Sequence, residues 1–222
     1  MMKYLIFLLL PIQVLAQDLQ LEKFIDSLVG PFNKPNVPGT LVLVAQDGKL
    51  LVSKAYGLAN IELNVPLRTD HAIAIGSVSK QFTAVGVLKL VEQGKLKLSD
   101  DIRKYFPAIN TQGQIITVEH LLTHTSGISS SERKSFTAFI SANGARVHPD
   151  EYLSYLFSEQ LLFPPGTNWS YNNVAYTMSS ILIERVSGQS FDEFMKQNVF
   201  IPAGMMNTYI GSDLQPLMNL PV

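Results

Sequence analysis

The chain of 222 residues contains no cysteine. Disulfide bonds, thiolate sites for zinc or iron–sulfur clusters and a cysteine nucleophile are therefore all excluded. Any covalent chemistry is left to serine, threonine, lysine or carboxylate side chains.

An excess of positive charge is also lacking. Seventeen Lys and Arg residues stand against 18 Asp and Glu, which gives a formal net charge of -1. A surface that binds phosphates by releasing counterions needs a basic excess, so we expect no nucleic acid partner. Charged residues make up only 16% of the chain and hydrophobic residues 46%. This composition favours one sizeable folded core or two small ones over disorder.

Residues 1–16 have the pattern of a signal peptide. Lys3 precedes an apolar run, and Val14-Leu15-Ala16 supplies small residues at the cleavage position. The alternative is a membrane anchor, but Pro11 and Gln13 interrupt the run well before the ~20 apolar residues that a span requires. We therefore expect an exported chain, periplasmic or extracellular, with no stable membrane span after cleavage.

The region after the cleavage point mixes helix and strand patterns. Asp18 can cap a helix that Gly30-Pro31 ends, and the two apolar runs 40–44 and 50–52 flank Asp47-Gly48. Because this dipeptide readily accepts the positive φ of a tight turn, the pattern predicts a β-hairpin. A third apolar run, 72–75, has a strand-like composition and leads into Gly76.

From Ser77 the apolar period becomes helical. The spacing predicts a helix with one apolar stripe, ended by Gly94, then helices over 117–123 and 173–187, and a capping box at Ser190–Glu193. The expected stripe consists of Val78, Phe82, Val85, Leu88 and Val91. The predicted parts of the mature chain are residues 17–76, the N-terminal part of an α/β sheet domain, 77–211, a mostly helical region, and 212–222, an irregular tail.

Ser77 and Lys80 form the first candidate catalytic pair. The two residues are three positions apart at the start of a helix, so their side chains lie on one face and can meet. A serine becomes a nucleophile when a neighbouring base takes its proton, and a lysine does so only in its uncharged form. The spacing alone is weak evidence, since Ser131 and Lys134 repeat it. The alternative is that Ser77 caps its helix and Lys80 is solvated.

Tyr171 and Asn173 form the second candidate pair, at the end of a loop just before a helix. A phenolic hydroxyl beside a Lys cation is stabilised in its ionised form, so Tyr171 could take the Ser77 proton and pass it to a leaving group. Asn173 could bridge a substrate amide and Lys80. The alternative is a half-buried aromatic residue followed by a helix cap.

No motif in the chain requires a metal. His120 and His124 have the i, i+4 spacing of two ligands on a helix, but the sequence places no carboxylate or third histidine beside them. We therefore expect structural roles for both histidines.

Four ordered motifs carry a resemblance to a known family: Ser77–Lys80, Leu121–Ile128, Pro165-Gly166 and Tyr171–Asn173. Together they resemble the superfamily of serine β-lactamases and penicillin-binding proteins, in the Tyr-x-Asn branch of the class C β-lactamases. The resemblance implies an α+β fold, in which an antiparallel sheet is flanked by helices and a helical region is inserted between early and late strands.

The resemblance also implies roles. Ser77 would be the acylated nucleophile, with its backbone amide as one oxyanion donor. Lys80 and Tyr171 would be the proton-transfer pair, and Asn173 would contact substrate. Substrates would be β-lactams, D-amino-acid peptides, esters or other acyl compounds, small molecules or peptides, and no metal or other cofactor would be used. No feature of the sequence specifies an oligomeric state.

One family motif is not found. The third motif, a Lys or His followed by a small residue and Gly on a late strand, has no counterpart downstream of Tyr171, and residues 212–222 contain two prolines and no alternating pattern. We therefore expect a C-terminally shortened form of the fold that lacks the late strands. Two hypotheses follow: a serine hydrolase that retains nucleophile and proton relay, or a catalytically silent remnant that binds a ligand or partner.

Overall fold

The computed structural model of the chain describes residues 19–31, 33–34, 36–129, 153 and 160–211. The chain divides into two compact units. Among the described residues, the first unit ends at Ile73 and the second begins at Ala74. The predicted signal peptide, the tail 212–222 and the second Ser-x-x-Lys copy at Ser131 lie outside the described residues.

The first unit contains a helix and a β-hairpin. Helix α1 covers residues 19–29. Strands β1 (Thr40–Gln46) and β2 (Lys49–Tyr56) pair antiparallel, with a register shift between Val44 and Ala45. Asp47 and Gly48 both have positive φ, 51° and 74°, as a tight two-residue turn requires. The predicted hairpin is therefore confirmed.

Side chains from α1 and β2 hold this unit together. The Tyr56 hydroxyl donates to Asp26 at 2.7 Å, and Lys54 Nζ donates to both Asp26 carboxylate oxygens at 3.0 Å. These hydrogen bonds, the one from Tyr56 first, lower the pKa of Asp26. Two short strands, β3 (Leu58–Asn60) and β4 (Val65–Pro66), form a second antiparallel pair.

In the described residues of the second unit, helices and helical turns are joined by irregular segments. Its elements, in chain order, are a 3₁₀ turn (Gly76–Ser79), α2 (Lys80–Glu92), a 3₁₀ turn (Ile102–Lys104), α3 (Val118–Leu122), α4 (Asn173–Ser187), α5 (Phe191–Met195) and a π-helical turn (Lys196–Phe200). The bounds of α4 confirm the predicted helix, which Gly188 ends in the left-handed conformation. The short helix predicted over 117–123 is confirmed as α3, which Thr117 caps.

The core of this unit is apolar and extends across α2, α3, α4 and α5. Phe82 and Phe200 pack edge to face with their ring centroids 5.6 Å apart. The largest side chains with essentially no solvent exposure include Phe106, Phe194, Leu90, Ile102, Ile116, Leu121, Met178 and Leu182. This packing fixes α2 against α4, and these two helices carry two of the four candidate site residues, Lys80 and Asn173.

The predicted apolar stripe of α2 is wrong in part. The fully buried positions are Thr83, Gly86, Val87 and Leu90, whereas three of the stripe residues, Val78, Val85 and Leu88, are exposed. Apolar residues occupy both sides of this helix, so their period predicts a helix without telling which side packs inward.

Two further expectations need correction. Residues 72–75 form no strand, and Ile73 and Ile75 are exposed. The capping box at Ser190 is absent, because Ser190 makes no side-chain cap at α5. Its hydrogen bond goes instead to Asp192, whose pKa it lowers.

The predicted α+β class is confirmed, with helices and small antiparallel sheets in one chain. Within the described residues 160–211, no strand occurs. No helix in the described part of the chain is long and apolar enough to cross a bilayer.

Candidate active site

Ser77 and Lys80 are brought together at the start of α2. Ser77 lies in the 3₁₀ turn, Lys80 is the first residue of α2, and Lys80 Nζ donates a hydrogen bond to Ser77 Oγ at 3.3 Å. Gly76 enters this turn with a φ of 53°. No atom beyond the neighbouring residues lies within 4 Å of where a Cβ at Gly76 would be, so the positive φ and not a lack of space favours glycine here.

Tyr171 and Asn173 complete the cluster. The Tyr171 hydroxyl lies 2.7 Å from Ser77 Oγ, and Lys80 Nζ donates to Asn173 Oδ1 at 2.7 Å. Lys80 Nζ also lies 4.8 Å from the centroid of the Tyr171 ring, within the range of a cation–π contact. The structure thus places all four predicted site residues in one hydrogen-bonded group. Ser77 is exposed, so a reagent can reach it.

Asn172, which sequence reasoning missed, explains why Asn173 is available. Asn172 caps α4, since its Oδ1 accepts from the backbone N–H of Ala175 at 3.0 Å. Its Nδ2 donates to the carbonyl of Ile128 at 2.7 Å, and the residue is buried. The helix cap is therefore Asn172. The alternative interpretation placed the cap at Asn173, but the Asn173 amide faces Lys80. The signal was the doubled asparagine directly before the helix.

The motif Leu121–Ile128 positions the loop that carries Tyr171. Three backbone N–H groups of that loop donate to carbonyls of the motif: Leu162 to Gly127 at 2.7 Å, Gly166 to Thr125 at 2.8 Å, and Ser170 to His124 at 2.9 Å. These bonds fix the loop ahead of α4, and with it the Tyr171 side chain.

Gly127 is the tightest point of this contact. Its φ is 73°, and a Cβ there would lie 2.1 Å from the carbonyl oxygen of Phe163. Both the backbone conformation and the space therefore require glycine.

Tyr176 is a further residue beside the cluster that the sequence did not single out. It follows Asn173 by three positions, so both face the same side of α4. Its hydroxyl donates to the carbonyl of Leu122 at 2.9 Å, and its ring centroid lies 5.5 Å from Lys80 Nζ. Burial, and secondly Tyr171, raise the pKa of Tyr176. Tyr176 therefore stays a neutral phenol.

The two histidines are used in hydrogen bonds. His120 forms a reciprocal capping box with Thr117, in which each side chain accepts from the other residue's backbone N–H, at 3.2 and 3.3 Å. His124 Nδ1 accepts from the backbone N–H of Asn172 at 3.0 Å. Among the described residues, no three His, Asp or Glu side chains are grouped so as to hold a metal ion.

The fold and the cluster define a protein of the β-lactamase and transpeptidase type, and comparison with known proteins identifies the family. The family model described as Beta-lactamase matches residues 22–216. The chain therefore belongs to the superfamily of serine β-lactamases and penicillin-binding proteins, and the resemblance read from the motifs is confirmed.

Three relatives illustrate the match. Penicillin-binding protein 4* of Bacillus subtilis is 35% identical over 171 residues, which cover 76% of this chain and 37% of the relative. The octameric penicillin-binding protein homologue of Pyrococcus abyssi has a TM-score of 0.68 at 34% identity, over 84% of this chain and 43% of that one. D-alanine carboxypeptidase AmpC of Burkholderia cenocepacia has a TM-score of 0.68 at 29% identity, over 88% and 51%. The chain thus spans less than two thirds of each relative.

Proposed function

We propose that the protein is a serine hydrolase that works through an acyl-enzyme on Ser77. The observation that carries this proposal is the distance of 2.7 Å between Ser77 Oγ and the Tyr171 hydroxyl, with Lys80 Nζ 3.3 Å from the same serine oxygen. A serine held by two groups that can exchange protons, on an exposed surface, is the arrangement that nucleophilic catalysis needs.

The proposed acylation step transfers one proton. Ser77 Oγ attacks the carbonyl carbon of the substrate while its proton passes to the ionised Tyr171 oxygen, which lies 2.7 Å away. The bond to the leaving group then breaks, and Tyr171 returns the proton to that group. The Lys80 cation stabilises the ionised phenol from 4.8 Å above its ring.

Lys80 and the backbone complete the proposed machinery. Lys80 Nζ donates to Asn173 Oδ1 at 2.7 Å, and this hydrogen bond favours the position of the ammonium beside Ser77. The backbone N–H of Ser77, in the turn that leads into α2, is the proposed donor to the oxyanion of the tetrahedral intermediate. Asn173 is the proposed contact for an amide group of the substrate.

The proposed substrates are β-lactams, D-amino-acid peptides and esters. The relatives support this range, since two are penicillin-binding proteins by name and one is a D-alanine carboxypeptidase. All of these substrates present a carbonyl carbon that a serine hydroxyl can attack to form an acyl-enzyme.

Covalent labelling of the full chain tests the proposal. We expect a fluorescent penicillin or a fluorophosphonate to label the wild-type protein, and the label to disappear in Ser77→Ala. Ser131→Ala is the matched control, because it removes the serine of the second Ser-x-x-Lys copy, and it should label normally. Absence of labelling with both reagents would instead support the silent, ligand-binding or partner-binding alternative.

We further propose that the chain is exported and cleaved after Ala16, on the basis of the pattern in residues 1–16. Expression in a bacterial host with fractionation should yield a mature protein in the periplasm or medium that begins at Gln17. A cytoplasmic product that retains Lys3 would contradict this proposal.

A further inference from the structure

His124 lies at the centre of an aromatic group behind the Tyr171 side chain. Its ring centroid is 4.8 Å from that of Tyr171, 5.2 Å from Tyr176 and 6.0 Å from Trp169. Its backbone has a positive φ of 60°, which is uncommon for a residue other than glycine. Such a conformation is kept when surrounding interactions hold the residue in place.

Two hydrogen bonds of His124 hold the residues on either side of Tyr171 in the chain. His124 Nδ1 accepts from the backbone N–H of Asn172, and His124 carbonyl oxygen accepts from the N–H of Ser170. Ser170 and Asn172 flank Tyr171 in the chain, and Asn173 follows. One residue therefore fixes the backbone on both sides of Tyr171.

We propose that His124 is the positioning residue that holds the Tyr171 oxygen against Ser77, and that it does so as a neutral imidazole with an unprotonated Nδ1. This rests on the proposed function, because Tyr171 is the proposed proton acceptor. His124 itself touches no reacting atom, so its effect on acylation passes through the position of Tyr171.

The surroundings of His124 keep the ring neutral. Burial lowers its pKa, and the Lys80 cation lowers it further. Among the described residues, Tyr171 from the loop and Tyr176 from α4 pack against the ring, and Lys80 from α2 acts on it through its charge. None of them is a carboxylate that would favour the imidazolium. A proton on Nδ1 would oppose the N–H of Asn172 and break the bond.

Two variants of His124 separate this role from simple packing. His124→Asn keeps an acceptor near the position of Nδ1 and tolerates positive φ, but it lacks the ring. His124→Phe keeps the aromatic contacts and lacks the acceptor. If His124 acts by positioning, His124→Asn retains fluorophosphonate labelling within ~10-fold of wild type, whereas His124→Phe loses about 10²-fold, the cost of a displacement of ~1 Å at a catalytic group. If packing alone matters, the order reverses, and the proposal is wrong.

Hydrogen exchange at the Asn172 amide tests the same inference without any activity. We expect slow exchange at pH 7 in wild type and His124→Asn, and fast exchange in His124→Phe. In wild type, protection should be lost as the pH falls through the lowered pKa of His124, while His124→Asn stays protected. Equal exchange in the two variants, or wild-type protection with the same pH dependence as that of His124→Asn, would overturn the inference. A chain that is never labelled but shows these exchange patterns would refute the proposed function and leave the hydrogen bond of His124 established.

Discussion

The Tyr171 hydroxyl lies 2.7 Å from Ser77 Oγ, although 94 positions separate the two residues in the chain. Neither side chain is buried, so this contact is not a consequence of core packing. It arises because α2 packs on α4, while the motif Leu121–Ile128 fixes the loop in front of α4 through backbone hydrogen bonds.

Tyr171→Phe should lower the rate of acylation by about 10²–10⁴-fold, the usual contribution of a positioned acid or base. The variant keeps the ring that packs against His124 and loses only the hydroxyl that contacts Ser77. Stopped-flow labelling with a fluorophosphonate measures the rate, and a circular dichroism spectrum controls for folding. A rate equal to that of wild type would exclude Tyr171 as the proton acceptor.

Removal of the Lys80 ammonium should lower the labelling rate more than removal of the Asn173 side-chain amide does. We expect Lys80→Met to lower the labelling rate by at least ~10²-fold. Asn173→Ala should lower it about 10-fold or more, since a hydrogen bond to a charged group contributes roughly 1.5–3 kcal/mol.

Lys89→Met is the matched control for Lys80. Lys89 lies on the same helix and pairs with Glu92 at 2.7 Å, away from the cluster, so its loss should leave the rate unchanged. Equal rates for the Lys80 and Lys89 variants would contradict the assignment of Lys80.

Gly127→Ala should destabilise the protein more than Gly188→Ala does. Both glycines have a φ of 73°, but only at Gly127 does a Cβ meet another atom, the carbonyl oxygen of Phe163. The conformational cost shared by both is roughly 1–2 kcal/mol, and the clash at Gly127 adds about 1–3 kcal/mol. Urea unfolding measures both free energies, and equal values would show that the loop is not held as described.

Asp100 makes the stability depend on pH. Hydrogen bonds from Tyr105 first, and from the backbone of Lys97, lower its pKa from 3.8 to about 2. A carboxylate with a lowered pKa stabilises the fold fully above its unfolded pKa, and this contribution is lost as the pH falls towards 2. The difference in Tm between wild type and Asp100→Asn should therefore be largest above pH 5 and shrink between pH 4 and pH 2. A difference that stays constant over this range would contradict the assignment.

Local patterns predicted the helices and the hairpin well. The turn at Asp47-Gly48 and the bounds of α4 follow from positive φ and capping, which depend on neighbouring residues. The sequence did not predict which side of α2 is buried, because the helix has apolar residues on both sides and only its packing partners determine which side faces the core. Residues 72–75 have the composition of a strand but form none.

The sequence predicted the residues of the candidate site, but it did not predict the residues that hold them in position. Ser77, Lys80, Tyr171 and Asn173 stand in recognisable motifs, and the structure brings them together. Asn172, Tyr176 and His124 act through long-range hydrogen bonds, to Ile128, Leu122 and Asn172 respectively, and no spacing in the sequence specifies such pairs.

The proposed function requires that the substrate becomes covalently attached to the Ser77 oxygen. Tandem mass spectrometry of the full chain after reaction with a fluorophosphonate or penicillin tests it most directly, because it locates the adduct on a single residue. We expect one adduct, on Ser77, which the Tyr171→Phe variant acquires much more slowly. An adduct on Ser131 or on another residue, with Ser77 unmodified, would contradict it.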